Sequence, residues 1–279
     1  MSGGGGLEAT AIPVQALRTL DTTIIELCAA VFDWALFQRT KGALNLHLQL
    51  DHQGCLPCWA LVTDGDTNDV RVAQRLTFAP GTIVVIDRGD LDYALCHRWT
   101  VADVGFVTRP PINMLYEFLE QHPVPTRGSV LAYEVIHLTG LRAADRCVIP
   151  LRQVTIWDEP QQRVLTFLTN LMHLAASAIA AIYKERWQIE RLFTALKQHL
   201  KLKTFVGTSE NAVQVQIWIV LIAMLWLKFL QLKTSWPWSL SNLTALLRFT
   251  YRNLWTWLDA PFDRPLRGST PPQGALYAT

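Results

Sequence analysis

The sequence predicts an α/β fold, a mixed sheet flanked by helices, with a β-rich insertion between Asp87 and Glu190. Three observations carry this expectation. Strand-like runs open the chain, a continuous apolar run ending in an aspartate follows a short helix, and a long helical run comes only after a stretch rich in prolines and turns.

LRTLDTTII from Leu17, GALNLHLQLD from Gly42 and LPCWALVTDG from Leu56 read as a three-strand meander, with DHQG as the turn joining the last two. NDVRVAQRLT reads as a short helix. GTIVVIDRG is the kind of unbroken apolar run that a strand covered on both faces carries, and it ends in Asp87. Gly89 is expected to allow a tight turn out of that strand.

LDYALCHRW has helical spacing and GFVTR reads as a strand. From Pro110 to Arg163 the chain is proline-rich, with short strand-like pieces such as VLAYEVIHL and RQVTIW. After VLTFLTN comes a long helix from about Ala175 to Leu200. Thr208, Ser209 and Asn211 in GTSENAV read as the capped start of another, apolar helix. The expected organisation is a disordered leader over 1–16, a core in two parts over 17–109 and 164–232, the insertion over 110–163, and a helical extension with a disordered tail over 233–279.

Half the residues are apolar, enough for a large core, and the eleven tryptophans fall in no repeat. A net charge of +2 does not advertise nucleic acid across the whole chain, so local patches must carry any such argument. Five cysteines, an odd number in a chain too long to need staples, point to a reducing interior and a cytoplasmic protein. Cys55 and Cys58 form a CxxC with no partner pair, at the turn into a strand. The opening MSGGGG has neither the basic nor the apolar region of a signal peptide. The apolar run Ile217–Leu227 is flanked by Gln214, Gln216, Lys228 and Gln231 and falls short of the roughly 20 residues a span wants, so it reads as a buried helix, with a small membrane protein as the competing view.

On the long helix, Tyr183, Arg186, Glu190 and Lys197 fall within roughly 60° of one another, beside an apolar arc of Ile182, Ile189, Leu192, Phe193, Leu196 and Leu200. Taken alone, that stripe is also what a solvated helix with intrahelical ion pairs carries. Asp21 in the first strand and Asp87 at the end of the fourth change the weighting. If those strands are neighbours, the two carboxylates sit side by side and Glu190 completes a cluster of three. Such a cluster needs counter-charge at neutral pH, and hard divalent cations supply it. Two ions roughly 4 Å apart activate an attacking oxygen and stabilise a leaving one in phosphodiester displacement. His47, alternating with Leu46 and Leu48, lies on the polar face of its strand, as a nucleic-acid contact or a plain strand histidine. Lys197, Lys201 and Lys203 form a basic patch where cations also suit a helix end.

The spacing Tyr, two residues, Arg, three, Glu, six, Lys in YKERWQIERLFTALK resembles the signature of DDE transposases of the insertion-sequence-four (IS-four) family. LDTTI, KGALNLH, TDGDTND, IDRGDLDY, FVTR, FLTN and KTFVGTSENAVQVQIW resemble further family blocks in order, so the likeness runs from about Leu17 to Leu230. It implies a ribonuclease-H-like catalytic core and Asp21, Asp87 and Glu190 as a metal-binding catalytic triad. It also implies magnesium as cofactor, with manganese substituting, and Tyr183, Arg186, Lys197, Lys41 and His47 as DNA contacts. The implied activity is cleavage at transposon ends and strand transfer into target DNA, by a homodimer in the active complex. Two positions depart from the pattern: Asp90 stands where the family is usually aromatic, and Asn45 where a lysine is common, which removes an expected DNA contact. Asp21 lies too near the start to leave room for an end-recognition segment, so a truncated copy that only binds DNA or dimerises is the alternative expectation.

Overall fold

A computed structural model describes residues 16–28, 32, 34, 36–38, 41–122, 124, 129–140, 146–198, 205–233 and 239–249. The expected leader and the tail beyond 249 lie outside the described residues.

The meander forms from β1 (Leu17–Leu27), β3 (Lys41–Asp51) and β4 (Leu56–Asp64), with a three-residue β2 (Leu36–Gln38) added beside the start of β3. Helix α1 (Asp69–Ala73) begins at Asn68, whose side chain accepts from the Val70 N–H. Then come β5 (Ile83–Val85), a 3-10 turn at Arg88–Asp90, α2 (Tyr93–Val101) and β6 (Gly105–Thr108). The insertion is β7 (Tyr116–Gln121), β8 (Val130–Leu138) and β9 (Leu151–Asp158), and β10 (Arg163–Thr169) follows it. Four helices complete the described chain: α3 (Ala176–Glu185), α4 (Trp187–Gln198), α5 (Glu210–Lys233) and α6 (Leu240–Phe249).

All ten strands join one sheet in the order β2-β3-β1-β5-β6-β10-β9-β8-β7, with β4 also on β3. β1, β5 and β6 run parallel, and every other pairing is antiparallel. This is the ribonuclease-H-like mixed sheet that the resemblance implies. The insertion does not form a separate layer: β9, β8 and β7 extend the same sheet outward from β10. β5 is apolar throughout because it lies between two parallel neighbours and beneath helices on both faces.

Alternation along β1 decides what each face receives. Leu17 and Ile25 face the side covered by α3, α4 and α5, where Ile179, Ile182, Ile189, Leu192, Ile217 and Met224 close the core. Leu20 faces the other side, packed with Val84, Ile86, Leu95 and Trp99 under α1 and α2. Both faces of the sheet's centre are therefore covered, which buries much of the polar side of β3 as well, while β7 at the outer edge stays largely exposed.

One tether and one close approach fix the centre. The Asn170 side chain accepts from the Phe106 N–H and donates to the Val104 carbonyl and Thr100 Oγ1, tying β6, α2 and the end of β10 together. A Cβ at Gly105 would lie 2.6 Å from a Leu171 methyl, so only glycine fits there without displacing Leu171. Gly89 has no such need. It lies in a right-handed 3-10 turn with open space around it, a conformation any residue adopts, so the expected turn requires no glycine.

Candidate active site

The β1–β5 register pairs Leu17 with Ile83 and Thr19 with Val85. Continued two residues further, it sets Asp21 beside Asp87, and period-two alternation turns both toward the face that carries α3 and α4. Asp87 stands at the N-cap position of the one-turn helix that leaves β5 without a side-chain capping bond, and its carbonyl accepts from Thr108 Oγ1 at 3.3 Å.

The helix expected as one run is interrupted at Arg186. Its N–H bonds back to the Tyr183 carbonyl at 3.1 Å, and Ile189 N–H bonds to the Arg186 carbonyl at 3.1 Å, so the turn tightens locally from i−4 to i−3 bonding. The tightened turn aims the Arg186 guanidinium inward, where the residue is only 8% exposed. It lies 3.3 Å from Asp21 Oδ2, 3.9 Å from Asp87 Oδ1 and 2.6 Å from Glu190 Oε1. Three carboxylates from three distant segments thus share one cation. Tyr183, buried against Phe167, donates its hydroxyl to Asp87 Oδ1 at 3.3 Å.

Burial pushes the Asp21 carboxyl up to about 6; the Thr22 N–H and Arg186 pull it down, and Asp87 and Glu190 push it up again. The oxygen-only donor set of Asp21, Asp87 and Glu190 suits a hard divalent cation. As arranged around the guanidinium, no group of three or more His, Cys, Asp or Glu among the described residues is drawn close enough to coordinate a metal ion.

Of the other residues expected at the site, Lys197 lies two turns beyond Glu190 on α4 and is half-buried. Lys41 begins β3, and its side chain lies outside the described residues. His47 requires a correction. It faces the opposite side of the sheet from Asp21, 3% exposed, bonded to Thr22 Oγ1 and Thr63 Oγ1 at 2.8 Å each and 3.1 Å from Asp69. A ring so enclosed braces β1, β3 and β4 and offers DNA no surface. Asn45 is also buried, donating to the Gly65 and Thr67 carbonyls at 3.2 Å, so it secures the loop after β4 where a DNA contact was expected. Cys55 and Cys58 are free thiols.

The arrangement adds residues that sequence reasoning passed over. Beside the triad runs a groove of about 790 Å³, lined by Arg109, Arg163, Lys184, Arg186 and Arg191 with Trp157 and Trp187, and also by Asp87, Asp158, Glu159 and Glu185. Arg191 and Lys184 lie within the motif itself, and Arg109 ends FVTR; their neighbourhood was the available signal.

Asp90, the departure noted above, is 9% exposed, and burial, then Asp69, Asp21 and Asp87, push it up to about 7. A carboxyl whose folded value is raised stabilises the fold fully below its ordinary 3.8 and loses that contribution as pH climbs through about 7. Asp90→Asn, which keeps the shape and removes the charge, is accordingly expected to melt higher than wild type above that range and equally near pH 4. The gain is a few kcal/mol at most, at about 1.4 kcal/mol per pH unit. Coincident melting curves for the two proteins across the range would refute it.

The fold is a ribonuclease-H-like α/β domain with Asp21, Asp87 and Glu190 gathered around Arg186 on one face of its sheet. The family model for the transposase DDE domain matches residues 17–226, and the chain belongs to that family. It is 32% identical over 211 residues to a transposase of Sinorhizobium fredii, covering 74% of this chain and 58% of that one. It is 28% identical over 238 residues to the transposase for insertion sequence element IS5377 of Geobacillus stearothermophilus, covering 84% of this chain and 62% of that one. Over 52 residues, 19% of this chain and 15% of the other, it is 54% identical to a transposase for insertion sequence element IS4SA of Synechocystis. A solved structure of the piggyBac transposase synaptic complex with hairpin DNA aligns at a TM-score of 0.49 and 11% identity, over 91% of this chain and 59% of that one. The chain spans 58% and 62% of the first two relatives' lengths.

Proposed function

We propose that this chain is the catalytic core of a transposase that cleaves DNA at the ends of a mobile element and joins the freed 3′ ends to target DNA. The observation that carries this reading is the convergence of Asp21, Asp87 and Glu190 on Arg186 from three separate segments of the fold. Asp21, Asp87 and Glu190 are its catalytic carboxylates and would hold the divalent ions, magnesium or manganese. Bound there, such ions would activate the attacking oxygen and stabilise the leaving one at the phosphate.

The chain's own residues do the rest. Asp21, within β1, and Asp87, just past the end of β5, are carried by neighbouring strands of one sheet, while Glu190 comes from a helix packed on that sheet. Tyr183 orients Asp87 through its hydroxyl. Arg186 offsets part of the carboxylates' charge and, were a divalent ion held there, would be free to pair with a DNA phosphate, for which its planar fork is suited. The groove with Arg109, Lys184 and Arg191 supplies further phosphate contacts, and Lys197 extends the track along α4.

Because guanidinium and divalent ion draw on the same carboxylates, DNA that takes Arg186 away tightens metal binding, and metal tightens DNA binding by the same factor. Calorimetric titration of manganese into the wild-type chain, with and without end-containing DNA, is expected to show a coupling of about 5-fold or more. Asp87→Asn is expected to lose metal binding in both conditions. Equal manganese affinity in the wild type and Asp87→Asn would remove Asp87 from the metal site and leave a DNA-binding remnant as the better reading.

A further inference from the structure

Helix α5 is apolar on both sides. One side is locked into the core through Val213, Ile217, Leu221, Met224 and Leu227. Among the described residues nothing covers the other side: every exposed position from Val215 to Leu232 is apolar. The helix is long and apolar enough to cross a membrane, but its buried side is built into the sheet's core, and exposing that side to lipid would dismantle the core. The expectation of a buried helix therefore holds for one face only.

The uncovered face has a pattern. Val215, Trp218, Ile222, Leu225, Phe229 and Leu232 alternate at spacings of three and four, the seam by which one helix receives another. Contiguous apolar surface of this extent marks an interaction site. With exposures between 39% and 64% over eight large side chains, each copy presents on the order of 800 Å² of apolar surface, about one partner's share of a stable interface.

We propose that this face of α5 docks against the same face of a second copy of the chain, the two helices antiparallel. Reversed, the seam meets itself with Val215 against Leu232, Trp218 against Phe229 and Ile222 against Leu225, each pair occurring twice about a two-fold axis. The antiparallel direction also brings the Glu210 end of one helix to the Lys233 end of the other and opposes the helix dipoles. A parallel pair would stack Lys228 and Lys233 on their own copies. The inference stands apart from the catalytic reading, since it needs neither metal nor DNA.

Sedimentation velocity of the full chain at micromolar concentration is expected to give a dimer. Ile222→Glu and Phe229→Glu, each on the exposed side, are expected to weaken it by at least ~30-fold while leaving the circular dichroism spectrum unchanged. With the exposed Cys28 and Cys58 replaced by serine, Val215→Cys/Leu232→Cys is expected to cross-link between chains on oxidation, and Val215→Cys alone is not. A wild-type monomer overturns the proposal, as does a dimer that both glutamate variants leave intact. Cross-linking by Val215→Cys alone overturns the antiparallel arrangement. Flotation of a monomeric wild type with phosphatidylglycerol vesicles would assign the face to a lipid surface instead.

Discussion

Glu190→Gln is expected to reduce metal-dependent cleavage of end-containing DNA by about 10³-fold or more, the scale of losing one member of a group that acts as a unit. The substitution keeps side-chain length and removes one negative charge from a set of three. The loss would therefore fall on chemistry and metal affinity, with the fold intact. Binding of end DNA, carried by the groove's cations, is expected to stay within a few-fold of wild type, as gel shift would report. The variant also releases Arg186 from its 2.6 Å partner, which leaves the guanidinium more available to phosphate. Cleavage near the wild-type rate in purified Glu190→Gln would sink the triad assignment, whereas joint loss of cleavage and DNA binding would point to damage of the helix.

Arg152→Ala is expected to destabilise the fold by about 3–5 kcal/mol, measurable as a lower urea midpoint. Arg152, in β9, is 1% exposed and has no carboxylate partner among the ion pairs of the described residues. Its Nη1 donates to the carbonyls of Leu171, at 3.0 Å, and Leu174, while the guanidinium lies 3.9 Å above the Tyr133 ring. The charge is thus compensated by two carbonyl dipoles and a π face. Those carbonyls belong to the loop that delivers the chain from β10 into α3, and so ultimately to Tyr183 and Arg186. Alanine would leave both without a partner and open a cavity. Arg152→Lys, able to reach one carbonyl, is expected to lose less. A cost under about 1 kcal/mol for Arg152→Ala would mean that water replaces the guanidinium.

Much of the fold was legible because it is written in local periodicity. The meander, the buried run into Asp87 and the late helices each declare themselves over ten residues or so. The adjacency of the first and fourth predicted strands was an inference, and the parallel β1–β5 pairing bears it out. The cap at Ser209 was equally local: its Oγ accepts from the Ala212 N–H at 3.3 Å.

The burial of the motif's own polar residues was not legible. Tyr183 and Arg186 carry the same helical spacing as a solvated stripe, and only β1 and β5, arriving from far upstream, turn that stripe inward. His47 failed as a DNA contact for the same reason. Alternation correctly gave it a polar neighbour set, but α1 and Asp69 roof that side of β3.

By itself, then, the sequence determined which segments are strands and helices, which carboxylates end up on them, and the spacing of the Tyr-Arg-Glu-Lys motif. Only the tertiary structure decided that Arg186 is the common counter-ion of Asp21, Asp87 and Glu190, that Arg152 is held by carbonyls and a ring face, and that, among the described residues, α5 is covered on one side alone. Residue type and periodicity report what a side chain prefers to touch. Which distant segment reaches it is set by sheet order and helix packing, and those come from the whole chain at once.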